Sequence, residues 1–328
     1  MTKKLRVWIT SLIIIVTAAG ILATTVGKPI AGKNTIVVKV QRSGFLSPIV
    51  IPRDLYVIGT DGVGEINEKP PRGLKDEAKW SPDGKWVVYS TIYNDWGTAS
   101  TSDLYLMRSD GSSRKRLTDH RTGGSFSPAW SADGKNIAYF AYDKKGGNSG
   151  IHIINLECLL LGEKCSPTPR FLVRGNYPDW SPDGKFIVYI PDHPETGIRI
   201  TKADGTGKPT ALLPEVKICF SPQWSPDGTR ILTSCYQEQS ESFQIFIVNP
   251  DGSSAFTVGE GAKPSWSPDG SKIAFTSRRD DLGECIAGIC GSGGVYSNAI
   301  FLMNPDGSGV VRLSLRDDES VLWYAWVR

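Results

Sequence analysis

The sequence predicts an all-β fold: a six-bladed β-propeller of four-stranded antiparallel blades, with its last blade closed by N-terminal strands and one N-terminal apolar helix in front of it. Two repeated segments predict the strands, and an offset between the chain ends predicts the closure. The first segment recurs at intervals of 42 to 50 residues. A repeat of this length that contains hairpin turns is typical of β-propellers, because one repeat cannot bury its own faces.

The first repeat is a tryptophan followed by a tight turn and a strand. Its copies begin at Trp80, Trp130, Trp180, Trp224 and Trp266, and each continues Ser-Pro-Asp-Gly, with alanine for proline in the second copy. Proline sets the first corner of a type I turn, aspartate suits the second, and glycine takes the left-handed position that closes the hairpin. An aliphatic residue follows seven positions after each tryptophan. An aromatic residue follows at nine, except where Thr233 replaces it.

The second repeat is a strand that ends in an Asp-Gly turn. Its copies span residues 54–62, 103–111, 197–205, 244–252 and 299–307, with a degenerate copy at 150–158. A shorter strand follows most of them. One blade therefore has four strands: A ends at the tryptophan, B follows the Ser-Pro-Asp-Gly turn, C ends at Asp-Gly, and D is the short strand.

The two ends of the chain supply complementary parts of one blade. Residues 322–326 resemble a sixth A strand, and the chain ends two residues later. Residues 35–40, 54–62 and about 64–67 supply B, C and D strands with no A strand before them. Pairing the two ends would complete the sixth blade and leave no open edge in the ring. The predicted propeller domain is 35–328.

The N-terminus predicts a membrane anchor or a signal peptide in residues 1–27. Lys3, Lys4 and Arg6 precede residues 7–27, which contain no charged side chain and are long enough to span a bilayer. The basic flank places the N-terminus in the cytoplasm. A signal peptide cleaved near residues 18–23 is the main alternative, and a buried helix is the third. With an anchor or a signal peptide, the propeller lies outside the cytoplasm, after a linker at 28–34.

The charge distribution argues against a nucleic-acid partner. The formal net charge is +3, and the three basic residues near the N-terminus account for all of it. From residue 28 onward, acidic and basic residues balance, whereas a nucleic-acid-binding domain carries a basic stripe. We expect a monomer whose partner is an envelope or extracellular protein or a small ligand, with membrane contact through residues 7–27.

Both repeats resemble those of TolB-type propellers, which carry W-S-P-D-G-K-x-I-A-F followed by I-Y-V-M-D-x-D-G. The resemblance covers about residues 35–328 and implies a six-bladed propeller in the cell envelope. It departs from TolB itself, which has an α/β domain before its propeller. The resemblance therefore does not transfer TolB's partners.

The residues that could support catalysis are few. The same repeat forms the non-catalytic half of prolyl-oligopeptidase-like hydrolases, whose catalytic domain carries a G-x-S-x-G turn that this sequence lacks. His120, His152 and His193 occupy non-equivalent positions in the repeats, which argues against a shared metal site. The acidic runs Asp280–Asp281 and Asp317–Glu319 could hold calcium, but neither matches a calcium-loop spacing, so solvated loop charge is the expected interpretation. We expect no metal, no cofactor and no enzymatic activity; the alternative is a hydrolase or lyase with its site at the channel mouth.

The alternating strand directions divide the connections between two faces. A–B and C–D turns share one face, named the short-turn face; B–C and D–A connections share the other, named the long-loop face. Long insertions fall mainly on the latter, at 92–102, 119–127, 143–149 and 278–297, and the C–D connection 157–169 is the exception. Because binding residues concentrate on loops held by a rigid scaffold, the long-loop face is the predicted binding surface of a non-enzymatic module. The candidate binding residues are Asn94, Asp95, Trp96, His120, Arg121, His193, Arg278, Arg279, Asp280 and Asp281.

Six cysteines form three local pairs along the chain. They are Cys158 with Cys165, Cys219 with Cys235, and Cys285 with Cys290. Outside the cytoplasm such pairs favour disulfides. If Ser225 faces Thr229 across the turn, Trp224 faces Arg230, and counting outward places Cys219 opposite Cys235. A bulge at Pro222 would change this register, and two free buried thiols are the alternative.

Overall fold

The computed structural model describes residues 35–42, 54–59, 76–93, 101–109, 112–119, 123–143, 149–162, 167–216, 218–277, 299–313 and 319–327. All of them belong to one compact unit, Gly32–Arg328. Among them, no helix is long and apolar enough to cross a membrane. The predicted anchor or signal peptide at 1–27 and the linker at 28–34 lie outside the described residues.

The strands follow the predicted order. The A strands are β3 (Asp76–Trp80), β7 (Gly123–Trp130), β11 (Asn176–Trp180), β15 (Cys219–Trp224), β19 (Ala262–Trp266) and β23 (Glu319–Val327). The B strands are β1 (Thr35–Arg42), β4 (Trp86–Tyr93), β8 (Asn136–Asp143), β12 (Phe186–Ile190), β16 (Ile231–Gln237) and β20 (Ile273–Ser277).

The C strands are β2 (Asp54–Gly59), β5 (Thr101–Arg108), β9 (Gly150–Asn155), β13 (Ile198–Lys202), β17 (Ser242–Val248) and β21 (Ala299–Met303). The D strands are β6 (Lys115–Arg116), β10 (Arg170–Val173), β14 (Thr210–Leu212), β18 (Ala255–Glu260) and β22 (Val311–Arg312). A one-turn helix, α1 (Glu157–Leu160), follows β9.

These strands form antiparallel sheets in the order A-B-C-D. Strands β11–β14, β15–β18 and β19–β22 each form a four-stranded sheet. Strands β3–β6 and β7–β10 form two further units of this kind, which a single parallel bridge between Ser102 and Gly124 joins into one eight-stranded sheet. Strands β2, β1 and β23 form a three-stranded sheet.

The predicted pairing of the two chain ends is confirmed. Strand β1 runs antiparallel to β23, with Thr35 opposite Val327 and Arg42 opposite Glu319. The other side of β1 pairs with β2. The indole Nε1 of Trp326 donates to the Ser265 carbonyl of β19 at 3.3 Å, which links this sheet to its neighbour.

The Ser-Pro-Asp-Gly segments fold as turns, as the sequence predicts. In one of them, the Gly184 N–H donates to the Ser181 carbonyl at 2.9 Å, and the Ser181 hydroxyl donates to Asp183 Oδ1 at 2.6 Å. The same oxygen accepts the Lys185 N–H at 3.0 Å. The hydrogen bond from Ser181 is the main reason that the pKa of Asp183 lies below its usual value. The other described copies repeat this geometry, so the repeated aspartate is a turn residue.

The hairpin register differs from the prediction. Trp224 lies opposite Ile231, not opposite Arg230. A bulge in β15 then shifts the pairing by one residue, so that Cys219 lies opposite Cys235 as predicted. The one-residue difference at the turn and the one-residue shift at the bulge therefore cancel at the cysteine pair.

The same bulge recurs in β7, β11 and β19. The residue three positions before the tryptophan has a left-handed backbone, with φ between 49° and 52°, and proline follows it. Proline has no N–H for the ladder, so the strand bends there and gains one unpaired residue. The left-handed residues are Ser127, Tyr177, Ser221 and Lys263.

Neighbouring sheets pack through the residues that the first repeat predicts to be buried. Trp180, Ile187 and Tyr189 of one sheet share a cluster with Ala138 and Ile151 of the preceding sheet. In each described copy the aliphatic residue seven positions after the tryptophan is fully buried. The core therefore lies between successive sheets, and the two faces carry the connections.

Candidate functional site

The long-loop face is the predicted binding surface, but the described residues cover only part of it. Nine candidates lie outside the described residues: Asn94, Asp95, Trp96, His120, Arg121, Arg278, Arg279, Asp280 and Asp281. His193 is described and is exposed on the connection between β12 and β13.

The connection that carries His193 is fixed at several points. The Asp192 carbonyl accepts the Glu195 N–H at 3.1 Å. Glu195 forms an ion pair with Arg199 Nε at 3.0 Å, and the Thr196 hydroxyl donates to the Pro214 carbonyl at 2.7 Å. This B–C connection is therefore tied to the neighbouring D–A connection, which is the kind of support that holds a binding loop in place.

An aromatic cluster lies at the same end of β11, β15, β16 and β17. The rings of Tyr177 and Phe220 meet edge to face across two sheets, with centroids 6.2 Å apart. Phe220 then contacts Phe243 at 5.6 Å, and Tyr236 contacts the other side of Phe243 at 5.6 Å. Phe220 keeps 37% of its surface exposed although it begins an inner strand.

A second aromatic group occupies the equivalent end of β7 and β8. Phe126 stacks on Tyr142 with centroids 6.1 Å apart, and Phe140 stacks on Tyr142 at 6.2 Å. All three are half-buried. Together the seven residues form what we name the aromatic surface: Phe126, Phe140, Tyr142, Tyr177, Phe220, Tyr236 and Phe243.

Sequence reasoning missed the aromatic surface because its members lie outside the repeated motifs. The position four residues before the tryptophan holds Phe126 and Phe220 in two sheets, but Asn176 and Ala262 in the next ones. An aromatic residue at a position that varies between the repeats was the signal in the sequence for this surface. Residues that the scaffold does not require are the ones free to serve a binding role.

The predicted disulfide between Cys219 and Cys235 is present beside the aromatic surface. Their Cα atoms lie 4.0 Å apart, and both side chains are buried. Phe220 and Tyr236 are their chain neighbours, so the bond joins the two strands that carry these rings. Cys158 is also disulfide-bonded, and Cys165, Cys285 and Cys290 lie outside the described residues.

The described residues contain no group of three or more histidine, cysteine, aspartate or glutamate side chains placed to hold a metal ion. His152 is half-buried within its sheet, where its ring lies 5.9 Å from that of Tyr139 and 5.4 Å from that of Phe171. Asp103 is buried and pairs with Arg116 while it accepts a hydrogen bond from Thr118 at 3.1 Å. These environments are structural.

The short-turn face has a groove between the Ser-Pro-Asp-Gly turn at 81–84 and the Ser-Ala-Asp-Gly turn at 131–134. Trp86 forms part of it, with the guanidinium of Arg108 5.0 Å from its ring. Leu160, the last residue of α1, and Leu161, which follows it, line the other side. Lys135 holds α1 in place through an ion pair with Glu157 at 2.7 Å.

Solved structures with the same arrangement of sheets identify the fold. The chain superposes on TolB from Acinetobacter baumannii with a TM-score of 0.67 and 18% identity, covering 94% of this chain and 70% of that one. This chain has a TolB-like fold. A putative TolB from Agrobacterium tumefaciens gives a TM-score of 0.55 at 21% identity, covering 90% of this chain and 98% of that one.

Two enzymes are also similar to this TolB-like chain. Dipeptidyl-peptidase 5 from Porphyromonas gingivalis is 26% identical over 155 residues, which are 43% of this chain and 22% of that enzyme. An oligogalacturonate lyase from Vibrio parahaemolyticus superposes with a TM-score of 0.53 at 12% identity, covering 80% of this chain and 71% of the lyase. No protein-family profile matches the chain. The TolB-like chain thus spans less than half the length of the curated relatives it matches.

Proposed function

We propose that the chain is a six-bladed β-propeller that acts outside the cytoplasm as a non-enzymatic binding module of the cell envelope. The five A-B-C-D units and the sheet of both chain ends supply the six blades. The contact from Trp326 to Ser265 supports a sixth blade beside the fifth, because Trp130 makes the same contact with the preceding sheet, donating to the Lys79 carbonyl at 3.0 Å. Strand β23 also packs against β3 of the first blade, as a closed ring requires. The buried disulfide supports an oxidising compartment, since such bonds persist there.

The aromatic surface is the observation that supports binding at the long-loop face. Tyrosine and phenylalanine are enriched at protein interfaces, because one ring buries a large area with few rotatable bonds. The rings of Tyr177, Phe220 and Phe243 extend over neighbouring blades, as an extended partner would require. The candidate loops, including Trp96 and residues 278–281, belong to the same proposed surface. The partner is an envelope or extracellular protein, or a small ligand.

An enzymatic role is the second candidate, because a peptidase and a lyase are among the similar proteins. A hydrolase or lyase would need converging acid–base groups at the channel mouth. Of the described histidines, His152 packs within a sheet and His193 lies on a loop of the next sheet. Release of dipeptides from peptide substrates, or cleavage of oligogalacturonate, by the purified chain would favour this candidate over the binding module.

Substitution within the aromatic surface tests the binding role. Phe220→Ala should reduce the partner recovered by cross-linking from intact envelopes by tenfold or more, because a central aromatic contact contributes about 2 kcal/mol or more to binding. Phe171→Ala is the matched control, since Phe171 is 40% exposed and lies on the D strand β10. Equal recovery with both variants, or equal loss, would contradict the assignment.

Cell fractionation tests the proposed location. The protein should sediment with membranes, and protease added outside the cytoplasmic membrane should degrade the propeller. The uncharged segment at 7–27 motivates this expectation. A protein recovered entirely in the cytoplasmic fraction would refute it.

A further inference from the structure

The direction of β1 determines where the chain enters the propeller. Strand β23 runs from the long-loop face to the short-turn face, as every A strand does before its turn. Thr35, the first residue of β1, lies opposite Val327 at the end of β23. The segment that precedes the propeller therefore joins it at the short-turn face.

The linker is too short to allow the opposite orientation at a membrane. Seven residues, 28–34, separate the predicted membrane segment from Thr35. Fully extended, they reach about 25 Å. The eight residues of β1 alone span about 26 Å at the rise of a β-strand. With the long-loop face toward the bilayer, the linker would have to cover this whole height and the loops beyond it.

The same face carries exposed apolar side chains. Leu161 follows α1 in a C–D connection and is 71% exposed. Phe256 lies opposite Ile247, near the short-turn end of β17. Val311 lies opposite Leu302 at the equivalent place in another sheet, and Val310 precedes it. Most of the described large apolar residues with high exposure thus lie at this end, on three different sheets.

The charges of the turns at this face largely offset each other, so we expect apolar contact to provide most of the attraction between this face and a bilayer. The Lys85 and Lys185 side chains are largely exposed, and each lies 3.5–3.6 Å from the aspartate of its own turn. In the described Ser-Pro-Asp-Gly turns that carry a lysine, the lysine follows the aspartate by two residues, so their charges largely offset each other. Long lysine side chains can reach phosphates while apolar neighbours sit deeper.

We propose that the short-turn face rests on the surface of a phospholipid bilayer, with Leu161, Phe256, Val310 and Val311 at the level of the headgroups. The proposal rests on membrane attachment through residues 7–27, which is part of the proposed function. It adds an orientation: the aromatic surface points away from the bilayer and toward a partner. Because the contact is mainly apolar, salt should weaken it little.

Photo-crosslinking to lipid tests this orientation. The full-length protein is reconstituted into vesicles of phosphatidylethanolamine and phosphatidylglycerol, with p-benzoylphenylalanine in place of Leu161, Phe256 or Val311. Phe220 at the long-loop face and Phe171 on the edge strand β10 provide matched exposed positions for the same probe. We expect lipid adducts, measured by mass spectrometry, to be at least fivefold more abundant at the three short-turn positions.

Each other result contradicts the proposal in a distinguishable way. Strongest labelling from position 220 would place the long-loop face on the lipid, and strongest labelling from position 171 would mean edge-on contact. Absence of adducts at every position, in protein that floats with the vesicles, would show that the propeller stands clear of the bilayer. Loss of flotation itself would refute the membrane attachment, and the docking with it.

Discussion

At the scale of single residues, Cys219 and Thr233 occupy two positions that hold a glycine and an aromatic residue in two other sheets. A Cβ atom at Gly175 would lie 2.7 Å from the Tyr189 ring, and one at Gly261 would lie 2.5 Å from the Phe275 ring. A side chain at this position would therefore collide with the ring in these two sheets, whereas the sheet of Tyr139 carries Ser125 there. Cys219 occupies the glycine position, and it fits because the small Thr233 replaces the ring.

The disulfide should therefore be replaceable by the glycine–aromatic pair. Cys219→Ser with Cys235→Ser should lower the free energy of unfolding by about 3 kcal/mol, because the bond closes a loop with a sequence separation of 16. Cys219→Gly, Thr233→Tyr and Cys235→Ala together should recover more than half of this loss. Urea denaturation without reductant gives the comparison. A triple variant no more stable than the double serine variant would show that the two arrangements are not equivalent.

Tyr189 should make the fold sensitive to high pH. Burial raises its pKa to about 12, from about 10 in an unfolded chain. The native state thus keeps a proton that the unfolded chain releases, so stability that is fully present below pH ~10 is lost between pH ~10 and ~12. Over this range Tyr189 should lower the free energy of unfolding by about 1.4 kcal/mol per pH unit. Tyr189→Phe should make the decline in unfolding free energy shallower over this range, and an unchanged slope would contradict the assignment.

At the scale of elements, both repeated turns also join neighbouring sheets. The glycine of one Ser-Pro-Asp-Gly turn lies beside the proline ring of the preceding turn; the pairs are Gly134 with Pro82, Gly228 with Pro182, and Gly270 with Pro226. The Asp-Gly turns do the same at the outer edge, where Gly205, Gly252 and Gly307 lie against β10, β14 and β18. The turns therefore repeat because each one fits both its own hairpin and its neighbour.

Gly307 provides a test of this second role. A Cβ atom there would lie 2.4 Å from the Val258 carbonyl oxygen, and the residue also has φ of +84°. Gly207 is a control with a similar φ of +80°, and a Cβ atom there would have no non-neighbouring atom of the described residues within 4 Å. Gly207→Ala should cost about 1 kcal/mol from backbone strain alone. Gly307→Ala should cost about 1–3 kcal/mol more from the clash, measured by thermal or urea unfolding, and equal costs would exclude the packing role.

The sequence predicted the order of the strands well because the turn chemistry is local. Proline, aspartate and glycine determine each hairpin within a few residues. The register beyond the turn could not be predicted from counting, because the left-handed residue before proline introduces a bulge in the A strand. The pairing of Cys219 with Cys235 was correct only because this bulge offsets a one-residue error at the turn.

The candidate site was less predictable than the fold. The contact between Tyr177 and Phe220 joins two sheets, and it depends on how the A strands bend at their bulges. The exposure of Leu161 and Phe256 also depends on packing between sheets. Sequence patterns indicate which residues a sheet buries, but they do not show which non-repeated side chains meet across two sheets.

At the scale of the whole molecule, the two faces differ in composition. The long-loop face carries the aromatic surface and most of the long insertions. The short-turn face carries regular turns, the start of β1 and exposed aliphatic residues. In the proposed arrangement, a propeller attached at one face and open at the other would hold a partner at a fixed distance from its attachment, since the sheets between them are closely packed.

Pairing of β23 with β1 makes the last strand essential to the proposed ring. Deletion of residues 319–328 would remove β23, expose the edge of β1 and leave Ser265 without the Trp326 indole. An open edge of this length promotes pairing between molecules. We expect the truncated chain to aggregate or to lose its cooperative thermal transition. Trp326→Phe, which removes only the hydrogen bond to Ser265, should stay folded and lose about 1 kcal/mol. A truncated chain that melts at the temperature of the full-length protein would show that the ring does not depend on this strand.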